Sequence, residues 1–554
     1  MRRLPLAPWL AGFRREWWSA DLVAGLTAAA VVIPKAMAIA VIAGLPVEAG
    51  LYTALAAMLV YPLLGSSRAL SVTTTSAIAM LTAAQVAAFG AGGADARSVA
   101  TTLALLVGAM LIAARLLRLG FLANFISKPV LVGFEAGVGL VILVGQLKSV
   151  LGVPLTSKTT LGILLELPGL LPQAHLPTVL VAAAGLAVLL GLPRLAPRVS
   201  APLAWVALSI GASALLALPA LGVKVVGAVP PGLPALAWPE LSLVASLWPA
   251  ALGIALMSFT ESVAAARTFA RRDDPPVNAN QELLAVGAAN LASSLVGGMA
   301  AGGGASQTAV ADKAGARSQM AQWVNAGAVL LTLLLLSGLI AQLPQAALGA
   351  LILVSAAGMI KPEAFRAIGR IRRTELAWAL ATAAGVILIG TLEGILIAVA
   401  ISLLTLMFQA NHPPVYAVAY SRAKDVFRRA GEDPHDKTFP GLLILRTEGR
   451  LTFANAANAA DKMRELVTQA NPRVLVLECS AIPDIEYTAL LMLTEAEENL
   501  RARGVTLWLA AVNPDLRRVL ARTPLGAALG PQRIFDNLFQ ALEAWRAMPA
   551  PPAG

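Results

Sequence analysis

The chain has 554 residues, of which 58% are hydrophobic and only 13% are charged. In soluble proteins roughly a quarter of the residues are charged. This composition therefore excludes a soluble globular protein and predicts an α-helical polytopic membrane protein. One cysteine and three histidines provide neither a disulfide framework nor a metal cluster, so we expect no metal and no cofactor. The formal net charge of +11 comes mainly from the apolar part of the chain, which favours topology signals over nucleic-acid binding.

Fourteen apolar segments of spanning or near-spanning length follow one another along the first part of the chain. They lie at about 22–46, 49–64, 71–89, 99–118, 129–151, 177–193, 200–220, 247–265, 282–299, 305–316, 321–342, 345–360, 375–390 and 392–409. Lys and Arg concentrate in alternate loops, so we expect both termini in the cytoplasm. Residues 1–409 are therefore predicted to form a multi-pass domain in the inner (cytoplasmic) membrane of the cell.

Two of these segments are too short or too polar to cross a bilayer alone. One, at 71–89, begins SVTTTS, and the other, at 305–316, follows the three glycines at 302–304. Each is third in a run of seven, which predicts two inverted seven-segment repeats, over about 20–220 and 247–409. A helix that starts inside the membrane needs a protein-lined cavity, and its free N–H groups attract an anion. The alternative, ordinary capping by Ser and Thr, leaves the matched positions unexplained.

Ionisable residues inside the predicted spans are few and costly to insert. Lys35 lies deep in the first segment beside Pro34, and Glu261 lies deep in the eighth. Glu261 is the candidate for a carboxylate that binds a proton or a cation, and Lys35 is the candidate for a supporting positive charge. The alternative is that they form a structural ion pair. Glu135, soon after Lys128, is expected to reach the cytoplasmic interface.

The composition changes after residue 409. A stop at Asn411–Pro414 precedes the strand-like stretches VYAVAY, GLLILR, VLVLECS and VTLWLAA, which alternate with helix-like ones. This alternation predicts a small cytoplasmic α/β domain with a largely parallel sheet over residues 410–554. The charged stretch between Arg422 and Lys437 is expected to be a solvated loop.

Several stretches resemble signatures of the sulfate permease (SulP) anion transporters, relatives of prestin and pendrin, in the family's own order. They read DLVAGLTAAAVVIPKAMAIAVIAGLPVEAGLY, FISKPVLVGFEAGVGLVILVGQ, FTESVAAARTFA, GGGASQTAVADKAGARSQ and TLEGILIAVAISLL. The C-terminal domain resembles a STAS domain. This resemblance covers nearly the whole chain and implies a core and a gate domain, an elevator-type movement, a homodimer and a cytoplasmic STAS domain.

The resemblance also implies where the substrate binds. The family places its anion between the starts of the third and tenth helices, which here hold Thr73, Thr74, Thr75, Ser306, Gln307 and Thr308. Animal members commonly have arginine where this chain has Gln307, and glutamine with a nearby aromatic residue where it has Lys35 and Ile39. Without that fixed charge, and with Glu261 available for coupling, symport with a proton is favoured over chloride-type exchange.

The predicted function is therefore secondary active transport of a small anion, by proton-coupled symport of a dicarboxylate such as fumarate, which some bacterial relatives move. The alternatives are sodium-coupled bicarbonate transport and exchange of sulfate or another anion. Lys35, a missing second carboxylate and the STAS domain disfavour a nucleobase permease. A membrane scaffold whose STAS domain recruits a cytosolic partner is a further alternative. An enzyme is not expected, because no nucleotide-binding loop or catalytic-triad spacing is found.

One regulatory residue is predicted in the STAS domain. Thr488 ends the stretch DIEYT, which overlies the loop where bacterial regulatory relatives have a phosphorylatable hydroxyl. Glu486 and Tyr487 depart from the Asp-Ser usual there. The alternative to phosphorylation is that this loop forms an interaction or assembly surface.

Overall fold

The computed structural model describes residues 7, 9–10, 13–90, 92–124, 127–157, 159–197 and 199–548. The chain forms two compact units, Met1–Ser402 and Leu403–Gly554. The boundary between them falls inside the helix Thr391–Asn411, a few residues before the predicted boundary at 409. Residues 1–6 and 549–554, at the outer ends of the two predicted domains, lie outside the described residues.

The described part of the first unit is helical, apart from one short sheet and several 3-10 turns. Its helices are α1 (Trp17–Ile42), α2 (Val47–Leu64), α3 (Ser76–Gly90), α4 (Ala96–Leu116), α5 (Lys128–Gly145), α6 (Leu147–Leu151), α7 (Thr160–Leu170), α8 (Leu176–Leu195), α9 (Ala201–Leu215), α10 (Val244–Thr268), α11 (Ala279–Leu295), α12 (Ala305–Lys313), α13 (Met320–Leu335), α14 (Ser337–Ile340), α15 (Gln345–Ala357), α16 (Pro362–Ile371), α17 (Arg373–Leu388) and α18 (Thr391–Asn411). Each of the fourteen predicted segments overlaps at least one of these helices.

Seven spans among the described residues, from Trp17–Ile42 to Gln345–Ile371, are long and apolar enough to cross a membrane, by length and composition. The other seven predicted segments are not among the spans found in the described residues, so the count of fourteen crossings stays a prediction. The helices α7 and α16 lie outside the predicted segments. In α16, Arg366 and Arg370 interrupt the apolar run, so a search for continuous hydrophobic stretches misses it. Its amphipathic pattern is typical of a helix in the membrane interface.

A two-stranded antiparallel sheet lies at the centre of the first unit. It joins β1 (Val72–Thr73) to β2 (Gly302–Gly303), with Val72 opposite Gly303 and Thr73 opposite Gly302. α3 begins shortly after β1, and α12 begins shortly after β2. The starts of the two short helices therefore lie side by side. Because the strands are antiparallel, the chain enters the two helices from opposite directions. Strands of two residues are too short to give a sequence pattern.

Side chains from neighbouring helices satisfy the backbone of the extended chain before α12. Asn290 accepts from the Ala301 N–H at 2.9 Å, and Ser258 donates to the Ala301 carbonyl at 2.6 Å. Ser262 accepts from the Gly303 N–H at 2.7 Å. Because unpaired backbone groups are costly at membrane depth, these contacts allow an irregular segment to cross the middle of the protein.

Equivalent helices of the two halves make equivalent contacts. α1 packs on α13 as α10 packs on α4, α2 packs on α13 as α11 packs on α4, and α5 packs on α17 as α15 packs on α8. Two repeats related by a two-fold axis produce such matching pairs, in which a helix of one half packs on a helix of the other half. It divides the helices into one group containing α1–α4 and α10–α13, and a second group containing α5–α9 and α15–α17.

Helices α5 and α17 cross at Gly133, where a Cβ atom would lie 2.0 Å from the Ala379 carbonyl oxygen. Gly133→Ala must therefore separate the two backbones, and we expect it to destabilise the protein by about 1–3 kcal/mol. A lower thermal midpoint of the purified protein in detergent would show this. Gly145→Ala, in the same helix with no atom near the added Cβ, is the matched control. Equal midpoints for the two variants would contradict this packing.

The second unit is an α/β fold with one six-stranded sheet. Its elements are β3 (Val415–Ser421), β4 (Val426–Arg429), β5 (Leu442–Thr447), α19 (Ala456–Ala470), β6 (Val474–Glu478), α20 (Tyr487–Ala502), β7 (Thr506–Ala510), α21 (Pro514–Leu520), α22 (Pro524–Leu529), β8 (Ile534–Phe535) and α23 (Leu538–Arg546). The strand order is β4-β3-β5-β6-β7-β8. Strands β5 to β8 are parallel, and β3 is antiparallel to both neighbours.

The prediction of a solvated loop between Arg422 and Lys437 is wrong in part, because this stretch contains the edge strand β4. Arg428 in β4 forms ion pairs with Asp433 at 3.0 Å and with Asp436 at 2.7 Å. Hydrogen bonds from His435 and Arg428 lower the pKa of Asp433 to about 2. The charges that suggested a loop therefore pair with one another beside the strand.

Candidate anion-binding site

A cavity of about 640 Å³ lies where α3 and α12 begin. One wall comes from α1, α3, α10 and α12, and the opposite wall comes from α5, α15 and the residues that follow α15. The polar and charged side chains lining it include Lys35, Thr75, Glu261, Ser306, Gln307, Glu135 and Lys361. The cavity therefore lies between the two groups of helices and brings several predicted site residues together.

Lys35 places a positive charge at the first turn of α12. It follows Pro34, which has no N–H and so leaves the Ala30 carbonyl without its helical donor. Ser200 donates to that carbonyl at 3.1 Å, which satisfies the break in α1. The Lys35 ammonium donates to the Ser306 hydroxyl, and Ser306 is exposed to the cavity. An anion beside Ser306 would therefore also meet the Lys35 charge.

Glu261 lies on α10, at the start of the other short helix. The Thr75 hydroxyl donates to the Glu261 carboxylate at 2.8 Å, one residue before α3 begins. Among the described residues, Lys35 and Glu261 each contact a hydroxyl group and form no ion pair with each other. The structural-pair alternative is therefore not observed, and both charged groups are left facing the cavity.

Gln307 joins the two broken helices. Its side-chain amide donates to the Thr73 hydroxyl at 2.5 Å and to the Thr74 carbonyl at 3.2 Å, and the residue is 2% exposed. A Cβ on residue 304 would lie 1.5 Å from Gln307 Oε1, so Gly304 is the residue that leaves room for this amide. Gln307 thus fixes the spacing of the two helix starts as well as lining the cavity.

Three of the six predicted substrate residues lie behind the cavity wall. Thr308 is buried, donates to the Gly304 carbonyl at 2.8 Å and accepts from the Ser71 N–H at 3.1 Å. Thr73 and Thr74 are also buried, and none of the three lines the cavity. The structure therefore brings Thr75, Ser306 and Gln307 to the cavity.

The first residues of both short helices also line the cavity. They are Ser76 and Ala77 of α3, and Ala305 and Ser306 of α12. The first N–H groups of a helix have no partner within the helix, and the helix dipole places partial positive charge at that end. Two helix starts that face one cavity add their attraction for an anion without burying two full charges.

Two functional features lie outside the sequence predictions. Ser258 and Ser262 support the backbone beside the site, and their spacing of four residues on the same apolar helix as Glu261 is a readable signal. Glu135 and Lys361 form an ion pair on the opposite wall of the cavity. Glu135 was expected only at the interface, and Lys361 precedes α16, the helix that the predictions miss.

The predicted regulatory residue Thr488 lies in the second unit. It is the second residue of α20 and is exposed. A helix start favours an added phosphate through its free N–H groups and its dipole. Phosphorylation of Thr488 stays a prediction.

Comparison with known proteins decides the family. Residues 18–382 match the model of the Sulfate permease family, and residues 433–541 match the STAS domain. The chain belongs to the sulfate permease family. A probable sulfate transporter of Mycobacterium tuberculosis is 39% identical to this family member over 549 residues, which cover 98% of each chain. This is a multi-pass membrane transporter of an anion-transporting family, and it is not an enzyme.

Solved structures show the same fold. The structure of the murine solute carrier 26 family member A9 anion transporter in the inward-facing state matches 98% of this sulfate permease family member and 94% of that chain, with a TM-score of 0.87 and 21% identity. The transmembrane domain of the cyanobacterial bicarbonate transporter BicA matches 71% of this chain and 98% of its own, with a TM-score of 0.59 and 22% identity. The prediction of a membrane transporter with a C-terminal STAS domain is confirmed.

Proposed function

We propose that this protein is a proton-coupled symporter of a small carboxylate or dicarboxylate anion such as fumarate. The observation that supports this is the pair of opposed charges in one cavity. Lys35 contacts Ser306 at the start of α12, and Glu261 contacts Thr75 at the start of α3. One helix start thus has a fixed cation, and the other has a group that can take up a proton.

The anion binds beside Ser306 in this proposal. Lys35, the Ser306 hydroxyl and the first N–H groups of α3 and α12 supply donors and positive charge around one position. Hydrogen bonds to charged groups contribute roughly 1.5–3 kcal/mol each when they replace water well. A compact anion with two or more acceptor oxygens fits such a donor set, because it can engage both helix starts at once.

Glu261 couples the proton to the anion. An ionised Glu261 would repel an anion in the same cavity, and the repulsion of two charges is strong where the surroundings exclude water. Protonation removes that repulsion, so the proton and the anion bind favourably only together. Such reciprocal coupling is the requirement for symport.

The two groups of helices suggest how access alternates. In the proposed elevator movement, the group of helices with α1, α3, α10 and α12 carries the bound anion. It slides along the membrane normal against the group with α5 and α15. The cavity reaches Thr268, the last residue of α10, and Met359, just after the end of α15. Near these ends lie Arg271, in the loop after α10, and Arg366 and Arg370, in α16. The positive-inside rule favours a cytoplasmic location for such residues. We propose that this structure is in an inward-open state. The proposal also includes a homodimer in the inner membrane with both termini in the cytoplasm.

Two related functions remain as alternatives. The likeness to the cyanobacterial bicarbonate transporter supports sodium-coupled bicarbonate transport, with sodium rather than a proton at Glu261. The M. tuberculosis relative supports transport of sulfate, which could proceed by exchange. The STAS domain, with Thr488 exposed, is proposed to bind a cytosolic partner in either case.

Uptake into proteoliposomes separates these functions. Radiolabelled fumarate, sulfate and bicarbonate are each offered with an inward proton gradient and then with an inward sodium gradient. The proposal predicts proton-driven accumulation of a dicarboxylate that is unchanged when potassium replaces sodium. Accumulation only with sodium would support the bicarbonate alternative. Flux that requires an anion on the opposite side would show an exchanger.

A further inference from the structure

The wall of the cavity opposite Glu261 has an ion pair of its own. Lys361 donates to the Glu135 carboxylate at 3.0 Å, and both residues line the same cavity as Lys35 and Ser306. Glu135 lies on α5, and Lys361 lies between α15 and α16, so both belong to the second group of helices. Four of the described residues that line the cavity are charged: Glu135 and Lys361 on this wall, and Lys35 and Glu261 on the other.

The pair is poorly placed for a purely structural role. The Lys361 side chain is 55% exposed and the Glu135 side chain is 23% exposed. Ion pairs with this much solvent contribute little to stability, because water and salt screen them. Charged residues at cavity walls of membrane proteins usually act on the substrate path.

We propose that Lys361 is an entry subsite for the transported anion and that Glu135 occupies this subsite when no anion is present. The Glu135 carboxylate shows that a carboxylate oxygen fits beside Lys361 Nζ. A small carboxylate or oxyanion entering the cavity has the same chemistry and can replace it. This inference rests on the proposed anion transport and adds a first binding position on the path to Lys35 and Ser306.

The two residues then have opposite effects on the anion. Lys361 attracts it, and Glu135 competes with it and repels it. Lys361→Gln removes the attraction and leaves Glu135 unpaired, so the KM for the anion should rise about five- to tenfold. Glu135→Gln leaves Lys361 free for the anion, so the KM should fall about threefold, and more for a dianion than for a monoanion.

Opposite signs distinguish this role from a structural one. If the pair only fastens α5 to the start of α16, both single variants lose the same contact and change KM and the thermal midpoint in the same direction. The experiment measures initial rates of radiolabelled fumarate and sulfate transport against concentration for the full-length protein, Lys361→Gln, Glu135→Gln and the double variant. Lys361→Arg, which keeps the charge, should restore most of the affinity that Lys361→Gln loses.

The side of the membrane gives a second readout. Because both residues belong to one group of helices, the KM changes should occur for anion presented from the face to which this cavity opens. Membrane vesicles of both orientations test this. Same-direction changes in the two single variants, or equal changes from both faces, would overturn the entry subsite while leaving anion transport intact. If the protein without substitutions transports none of these anions, that result would instead overturn the proposed function, and this inference with it.

Discussion

Glu261→Gln is expected to abolish proton-driven accumulation of the anion while leaving downhill anion flux intact. Glutamine keeps the size of the side chain and can still accept from Thr75, but it cannot take up or release a proton. The variant therefore resembles the transporter with Glu261 permanently neutral. The measurement is uptake of labelled anion into proteoliposomes with and without an inward proton gradient. The ratio of these two rates should fall to about one.

Glu135→Gln is the matched control for this result. It changes a second carboxylate in the same cavity to the same amide, on the opposite wall. Proton-driven accumulation should persist in this variant. If Glu261→Gln accumulated the anion as strongly as the original protein does, Glu261 would be a structural residue and the coupling group would lie elsewhere.

Lys35→Gln is expected to raise the KM for the anion by about tenfold to a hundredfold, because one charge-assisted hydrogen bond contributes roughly 1.5–3 kcal/mol. The proposed reason is direct contact between the Lys35 ammonium and the anion beside Ser306. The variant should fold, since Lys35 contacts the cavity rather than a buried ion-pair partner. Concentration dependence of labelled anion uptake is the measurement.

Two further variants separate charge from geometry at this position. Lys35→Arg keeps the charge and should recover part of the affinity, whereas Ser306→Ala removes only a neutral hydroxyl and should raise the KM less than Lys35→Gln. A Lys35→Gln variant with an unchanged KM would show that the helix starts alone bind the anion. Thermal midpoints of all three variants check that each protein is folded.

The position of the site could be predicted because its constraints are local. Three consecutive glycines, Gly302 to Gly304, cannot continue a helix through lipid, and the hydroxyl-rich stretch around Thr73 interrupts the other half in the matching place. Lys35 and Glu261 stand out because charges inside apolar segments are rare. Such breaks and charges are visible in a single sequence without any knowledge of packing.

Which of the hydroxyl residues line the cavity and which are buried behind it could not be predicted. Thr73, Thr75 and Thr308 look alike in sequence, but Thr75 reaches the cavity and the others are buried behind it. Their surroundings depend on contacts between segments more than two hundred residues apart, such as those of Gln307 with Thr73 and of Thr308 with Ser71. The Glu135–Lys361 pair joins distant segments in the same way, so only the folded structure brings it to the cavity.

The most direct test of the central claim is to watch protons move with the anion. Proteoliposomes with a trapped pH-sensitive dye, equal pH and sodium-free potassium buffer on both sides, and valinomycin to hold the potential at zero receive an inward gradient of fumarate or, separately, sulfate. We predict acidification of the interior at the rate of anion uptake in the original protein, and none in Glu261→Gln. Uptake of the anion by the original protein with no change in internal pH would contradict proton symport.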